Sequence, residues 1–316
     1  MSDINEVVIE VTMKCNRACD FCFNKIYAKD FDFNLKTDEI KIIIDKVADS
    51  GASIIRFTGG EPLIRDDIFE LMEYAYSKGL KVWLNTNGTL ITKENARKIS
   101  EFVENVLLPF NSLGHEPSIE NAINHLKDGV KIIICGTVAL RENIDNLEKF
   151  LEVVKKLNID DWEIFRPIPI KINDNLMNHN DVKKVVEKLI TFKKTFGKTY
   201  YIANALPFCS YNPKKVDSVS YGAVSDDGHS RFIVSPNGTV RPSYFITEKI
   251  GNLLKDSVED CWNNDFMIKM RNLKFVPDQC KDCDYVEKCR GGSRFVANLV
   301  NGSYMSLDQL AKRNTS

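Results

Sequence analysis

Cys15, Cys19 and Cys22 put three thiols within eight residues, in the stretch Cys15-Asn16-Arg17-Ala18-Cys19-Asp20-Phe21-Cys22, just after a short apolar run. Thiolates bind soft metals, and a cubane iron-sulfur cluster normally takes four of them. Three at this spacing leave one iron open to a substrate or cofactor. Zinc would want a fourth ligand close by, and the nearest histidine, His115, is far along the chain. A second group, Cys280, Cys283 and Cys289, follows the spacing C-x2-C-x5-C. On ligand type alone that group suits structural zinc and an iron-sulfur cluster equally.

Repeated alternation of short β-branched runs with amphipathic segments must position these thiols. Val7 to Val11 reads as the first strand. Thr37 then caps a helix whose apolar residues Ile40, Ile43, Ile44 and Val47 share one face, and Gly51 ends it. Ile54 to Phe57 runs into the turn Gly59-Gly60-Glu61-Pro62, and Leu80 to Leu84 runs into Asn85. Further units end at Trp162 to Phe165. Six consecutive βα units predict a parallel sheet curled into a partial (β/α)6 TIM-like barrel, because crossovers are right-handed and both faces need cover. Active sites of such barrels lie where the strands end, and the triad, the Gly-Gly turn and Asn85 all follow strand ends. The glycines allow close backbone approach, so a methionine-like group could bond to bare peptide near Gly59 and Gly60.

After about residue 200 this rhythm gives way to loops, a hairpin over Arg231 to Val234 and Thr239 to Arg241 around Asn237-Gly238, and a helix over Val258 to Met270. Residues 1–200 are therefore expected to form the barrel and 201–316 a second unit.

Composition narrows the function. The 316 residues carry a net charge of −1, which points away from nucleic acid and anionic membranes and toward a small molecule or peptide. No apolar run is long enough to span a membrane, and the acidic start Met1-Ser2-Asp3-Ile4-Asn5-Glu6 is unlike a signal peptide. An odd count of nine cysteines fits a reducing, cytoplasmic setting.

The triad, with the aromatic Phe21 before its last cysteine, followed by Gly59-Gly60-Glu61-Pro62, resembles the radical S-adenosylmethionine (radical SAM) enzymes. The resemblance implies that SAM chelates the open iron of a [4Fe-4S] cluster and is cleaved by one electron from an external reductant. It also implies SAM contacts at Gly59, Gly60, Glu61 and Pro62, at Asn85, Ser112 and Arg141, and at Ile168 near the adenine.

Gly238, Cys280, Cys283, Cys289 and the following Gly-Gly resemble the SPASM/Twitch extension of peptide-modifying radical SAM enzymes, which carries auxiliary [4Fe-4S] clusters. Ser243 and Ser293 stand where two further cysteines would be, so the resemblance implies one auxiliary cluster and two clusters in all. Its fourth ligand is expected to be Cys209, with Cys261 as competitor. Cys261 beside Trp262, like Cys135, reads as a small apolar core residue.

The whole chain resembles the epipeptide class of peptide epimerases from Bacillus, which convert L-residues of a ribosomally made peptide to D-residues. In that class a loop cysteine donates the returning hydrogen, and here the position is Ala223. The expectation is a chain that abstracts Cα hydrogen but lacks the donor. A thioether-forming or sulfatase-maturating enzyme is the alternative within the family. An iron-sulfur electron carrier is the alternative outside it.

Overall fold

The structure is a computed structural model and describes residues 4–26, 34–170, 177–223 and 228–312. The first three residues of the acidic start, Met1 to Asp3, lie outside that range. Six strands, β1 (Glu6–Glu10), β2 (Ile54–Thr58), β3 (Lys81–Asn85), β4 (Val103–Pro109), β5 (Ile132–Val138) and β6 (Asp161–Phe165), pair in parallel in that order. Crossover helices separate them: α1 (Thr37–Asp49), α2 (Ile68–Ser77), α3 (Lys93–Phe102), α4 (Glu116–Leu126), α5 (Arg141–Ile144) and α6 (Leu147–Lys156). The result is the expected α/β partial barrel.

The sheet does not stop at the sixth strand. After α7 (His179–Phe196), β7 (Tyr201–Ile202) adds in parallel beside β6. On the other side, β8 (Arg231–Val234) pairs in parallel with β1, and β9 (Thr239–Arg241) and β10 (Gly251–Asn252) follow antiparallel. The boundary expected near residue 200 thus falls just before strands that flank the barrel sheet at both sides.

Strand alternation decides which residues face where. Val7, Ile9, Ile55, Phe57, Val82, Leu84, Trp162 and Ile164 join the apolar core together with Ile40, Ile43, Ile44 and Val47 of α1. Each such burial is worth about 1.5–3 kcal/mol as an upper figure. The intervening residues Glu6, Glu10, Arg56, Asn105 and Glu163 point the other way, into the barrel, so its interior carries charged and polar groups among apolar ones such as Val8, Leu107 and Phe165.

Two local expectations change. Thr37 is the first residue of α1, not its cap. The Lys36 N–H donates to Glu39 at 2.8 Å, and the Thr37 hydroxyl instead donates to Asp67 at 2.7 Å. The single helix expected over Val258 to Met270 is two, Val258–Trp262 and Asp265–Arg271. Asn264 breaks it by taking an extended-type ψ of 142° and accepting from the Phe266 N–H at 2.9 Å, the local bonding by which asparagine starts helices.

The end of β6 is fastened to the C-terminal segment by Arg166, whose guanidinium donates to both oxygens of Asp308 at 2.7 and 2.9 Å. Both side chains are buried, and Asp308 also accepts from the Ser293 and Leu310 N–H groups. Asp308→Ala would leave the guanidinium buried and unpaired, so it should lower unfolding free energy by about 3–5 kcal/mol. Replacing both residues with apolar ones should recover most of that. Denaturant titration measures it, and a loss below about 1 kcal/mol, the size of a surface pair, would refute it.

Candidate active site and cluster sites

The triad lies in the loop that leaves β1, and that loop is docked on the turns after β2 and β3. Gly60 N–H donates to the Thr12 carbonyl at 2.6 Å, and Glu61 N–H to that of Lys14 at 2.8 Å. The Asn24 amide donates to the Gly59 carbonyl at 2.8 Å. A Cβ on Gly59 would sit 2.2 Å from the Thr12 carbonyl oxygen, and one on Gly60 would sit 2.1 Å from that of Lys14. The close approach that these glycines permit is thus made by the cysteine loop itself. The φ of Gly59, +139°, also suits glycine alone.

Glu61 is fully buried and ties this turn to the next. Its carboxylate accepts from the Thr86 hydroxyl at 2.6 Å and from the Asn87 and Leu63 N–H groups at 2.7 and 3.1 Å. Burial pushes its pKa up against those bonds, which favour the charged form. Asn87 in turn reaches Asn16 at 2.7 Å and the Cys15 sulfur at 3.8 Å. Asn16, Thr12, Asn24 and Asn87 thus support the loop, and sequence reading singled out none of them. Their short polar side chains beside glycines and cysteines were the available signal.

The other residues expected at the SAM site share one rim, because parallel strands all end on the same side. Phe21 is half-buried within the cysteine loop, and Pro62 begins a single turn of 3-10 helix after the Gly-Gly pair. Asn85 closes β3, its side-chain oxygen accepting from Arg56 at 3.0 Å. Ser112 follows β4 and accepts from the Gly114 N–H at 3.2 Å. Arg141 is exposed at the start of α5, and Ile168, half-buried beyond β6, packs on the small apolar cluster of Phe245 and Phe295.

Cys209, Cys280, Cys283 and Cys289 line one pocket, walled by Pro207, Phe208 and Tyr285. Burial holds the Cys289 thiol up to about 11, and Cys209 and Cys280 are raised by burial too. Four thiols around a shared apolar pocket fit a cubane in donor type and number. At the rim, three thiols fit a cubane with one open iron. Cys261 lies elsewhere, buried against Gly251, and Cys135 is buried in the core. Ser243 accepts from the Ile246 N–H and Ser293 from the Val296 N–H, so both hydroxyls serve local turns.

Residues 9–167 match the model of the radical SAM superfamily, half of the chain. The chain belongs to the radical SAM superfamily. Residues 227–284 of this radical SAM enzyme match the SPASM model, described as an iron-sulfur cluster-binding domain. Its cofactors are SAM and [4Fe-4S] clusters. It is 26% identical to the AdoMet-dependent heme synthase of Nitratidesulfovibrio vulgaris, over 95% of this chain and 90% of that protein. It is 23% identical to the Fe-coproporphyrin III synthase of Methanosarcina barkeri, over 96% and 86%. In fold it is similar to Streptococcus suis SuiB bound to S-adenosylmethionine, with TM-score 0.79, 17% identity and coverage of 98% of this chain and 78% of that one. It is likewise similar to anSMEcpe with bound AdoMet and the Cp18Cys peptide, at TM-score 0.75, 18% identity and 96% and 92% coverage. No helix among the described residues is long and apolar enough to cross a membrane.

Position 223 follows the sheet edge at β7 and bonds next to Cys289. Tyr221 N–H donates to the Ile202 carbonyl at 3.0 Å and extends the edge beyond β7, while its ring stacks on Tyr201 at 4.5 Å. Two residues on, Ala223 is fully buried, and its N–H donates to the Lys288 carbonyl at 2.9 Å, one residue before Cys289. Gly222 makes this possible, since with φ +77° its Cβ would fall 2.3 Å from that carbonyl oxygen.

Proposed function

We propose that this radical SAM enzyme acts on a ribosomally made peptide as an epimerase-type protein, abstracting the Cα hydrogen of an L-residue. The observation that carries the reading is the placement of residue 223, buried at the barrel's edge and bonded beside Cys289. A hydrogen donor there would stand between a substrate in the barrel and an electron source in the Cys209 pocket. SAM bound at the triad supplies hydrogen-atom abstraction from carbon when one electron arrives from an external reductant.

The chain's own residues do the rest. Cys15, Cys19 and Cys22 hold the first cluster, and the rim residues Phe21, Gly59, Gly60, Glu61, Pro62, Asn85, Ser112, Arg141 and Ile168 surround SAM. Cys209, Cys280, Cys283 and Cys289 hold the second cluster, so residues 1–200 carry one metal site and residues 201–316 the other. Inversion needs a hydrogen atom returned to the opposite face of Cα, followed by one electron and one proton to restore the donor. Ala223 offers only strong C–H bonds, so this chain stops after abstraction.

The test is an anaerobic incubation with SAM, reductant and synthetic candidate ribosomal peptides. Deoxyadenosine with little D-residue supports the reading. Loss of two hydrogens with a new thioether would indicate a cross-linking enzyme. The similarity to heme synthases carries a second reading, in which an iron porphyrin replaces the peptide. Deoxyadenosine formed with iron coproporphyrin and not with peptide would favour it.

The ligand assignment is checked by iron analysis. Cys209→Ala should lower iron by about one cluster per chain, while Cys261→Ala should leave it unchanged. Equal iron in the two variants would overturn the assignment.

A further inference from the structure

Inside the barrel most charges are matched. Arg241 pairs with Glu10, and Glu6 is shared by Arg56 at 2.5 Å and Arg231 at 3.4 Å. The Asn105 side-chain oxygen, buried without a partner among the described residues, and two larger polar groups in the same interior stand apart from this network. Glu163 projects inward from β6, since its neighbours Trp162 and Ile164 face the helices. It is half-buried, and no hydrogen bond or ion pair to its carboxylate is made among the described residues. The charges that act on it are those of Arg56, Asp161, Arg231 and Glu6, so it looks across the barrel at the opposite wall.

Tyr244 is the second group. Among the described residues its hydroxyl is buried without a partner. The ring lies 5.4 Å from the Arg231 guanidinium and meets Phe23, the residue after Cys22, edge-on at 5.7 Å. The Arg231 guanidinium beside its ring also reaches Glu6, and the charges of Arg56, Arg231 and Glu6 act on Tyr244 as they do on Glu163. A buried hydroxyl without a partner and a carboxylate in a desolvated interior each cost free energy that a ligand can recover.

The ligand that fits is neutral, with one donor and one acceptor. A cation would face Arg56 and Arg231, and an anion would face Glu163. A peptide bond drawn out of water must satisfy both its N–H and its C=O. We propose that Glu163 and Tyr244 hold the backbone of the peptide residue to be altered, the Glu163 carboxylate accepting from its amide N–H and the Tyr244 hydroxyl donating to a peptide carbonyl. This rests on the peptide reading above. It deepens that reading by making recognition at this point a matter of backbone, so the side chain being inverted can vary. Burial lifts the Glu163 pKa to about 7, in keeping with a carboxyl that lacks a partner until peptide arrives.

Equilibrium binding of the fluorescently labelled precursor-derived peptide, with SAM present and reductant absent, tests this without turnover. Glu163→Ala should weaken binding about tenfold or more, and Tyr244→Phe about fivefold, the range for losing a charged and a neutral hydrogen bond. Iron content and thermal unfolding report whether each variant folds. The decisive arm uses the unchanged chain with a peptide carrying an ester in place of the amide N–H at the altered residue. That peptide should bind the unchanged chain about tenfold more weakly and lose nothing further on Glu163→Ala. Losses that multiply, or variants that bind both peptides as the unchanged chain does, would overturn the clamp. If the unchanged chain binds no peptide in any arm, the peptide reading itself fails and the clamp falls with it.

Discussion

Ala223→Cys should turn a chain that only abstracts hydrogen into one that completes inversion. The D-residue yield should rise by on the order of a hundredfold or more, the scale set by one positioned catalytic group. Residue 223 is fully buried, and its backbone is fixed to Lys288, so a thiol there is held in place and shielded from bulk water. Because S–H exchanges with solvent, the product made in heavy water should carry deuterium at Cα. The extra sulfur costs something in a packed site, about 1–3 kcal/mol at most. Ala223→Ser controls for that, being similar in size yet a poor hydrogen-atom donor, and should form no epimer. D-residues from the unchanged chain, or none from the cysteine variant with full deoxyadenosine release, would remove position 223 from the mechanism.

A second large effect is expected at Gly60. An alanine methyl there would stand 2.1 Å from the Lys14 carbonyl oxygen, 2.5 Å from its carbon and 2.7 Å from the Met13 carbonyl oxygen. All three are backbone atoms, so no side chain can swing aside. The loop carrying Cys15 must move, and Gly60 and Glu61 lose their bonds to it. A displacement of about 1 Å near reacting groups can cost a hundredfold in rate. Gly60→Ala should therefore lose about half the chain's iron and cut SAM cleavage by about that factor, with the Cys209 pocket still loaded. Gly51→Ala is the comparison, since Gly51 ends α1 at φ +80° with nothing within 4 Å of a Cβ. It should cost about 1 kcal/mol of stability and no iron. Full iron and full SAM cleavage in Gly60→Ala would refute the docking argument.

The alternation up to β6 is plain in the sequence because apolar runs and helix faces are local patterns. Helix α7 is written there as well, with Asn178 accepting at its start, Val182, Val185, Val186 and Leu189 on its buried face and Gly197 at φ +70° as its stop. The six-unit reading nevertheless closes at Phe165. The pairing of β8 with β1 is a different case. Val7 lies opposite Phe232, and nothing local in either segment announces a partner so remote in the chain. The two cysteine groups stand out by spacing, and ligand count pointed to Cys209, which lines one pocket with Cys280, Cys283 and Cys289. The barrel's polar lining was not inferred, although its trace is visible: Glu6, Glu10, Arg56 and Glu163 each interrupt a strand that is otherwise mostly apolar. Charges at alternate strand positions mark a wall with oil on one side and a chamber on the other.

The seam between β1 and β8 bears on any attempt to trade parts among such enzymes. Severing the polypeptide after α7 would strip one side of β1 of its hydrogen-bonding neighbour and leave a raw strand edge, a template for clumping. It would also take Arg231 from Glu6, which keeps Arg56, and Arg241 from Glu10. A graft that swaps the cysteine-bearing tail for that of a cousin must therefore carry a matching first strand, or it will spill its charge and stick to its own kind.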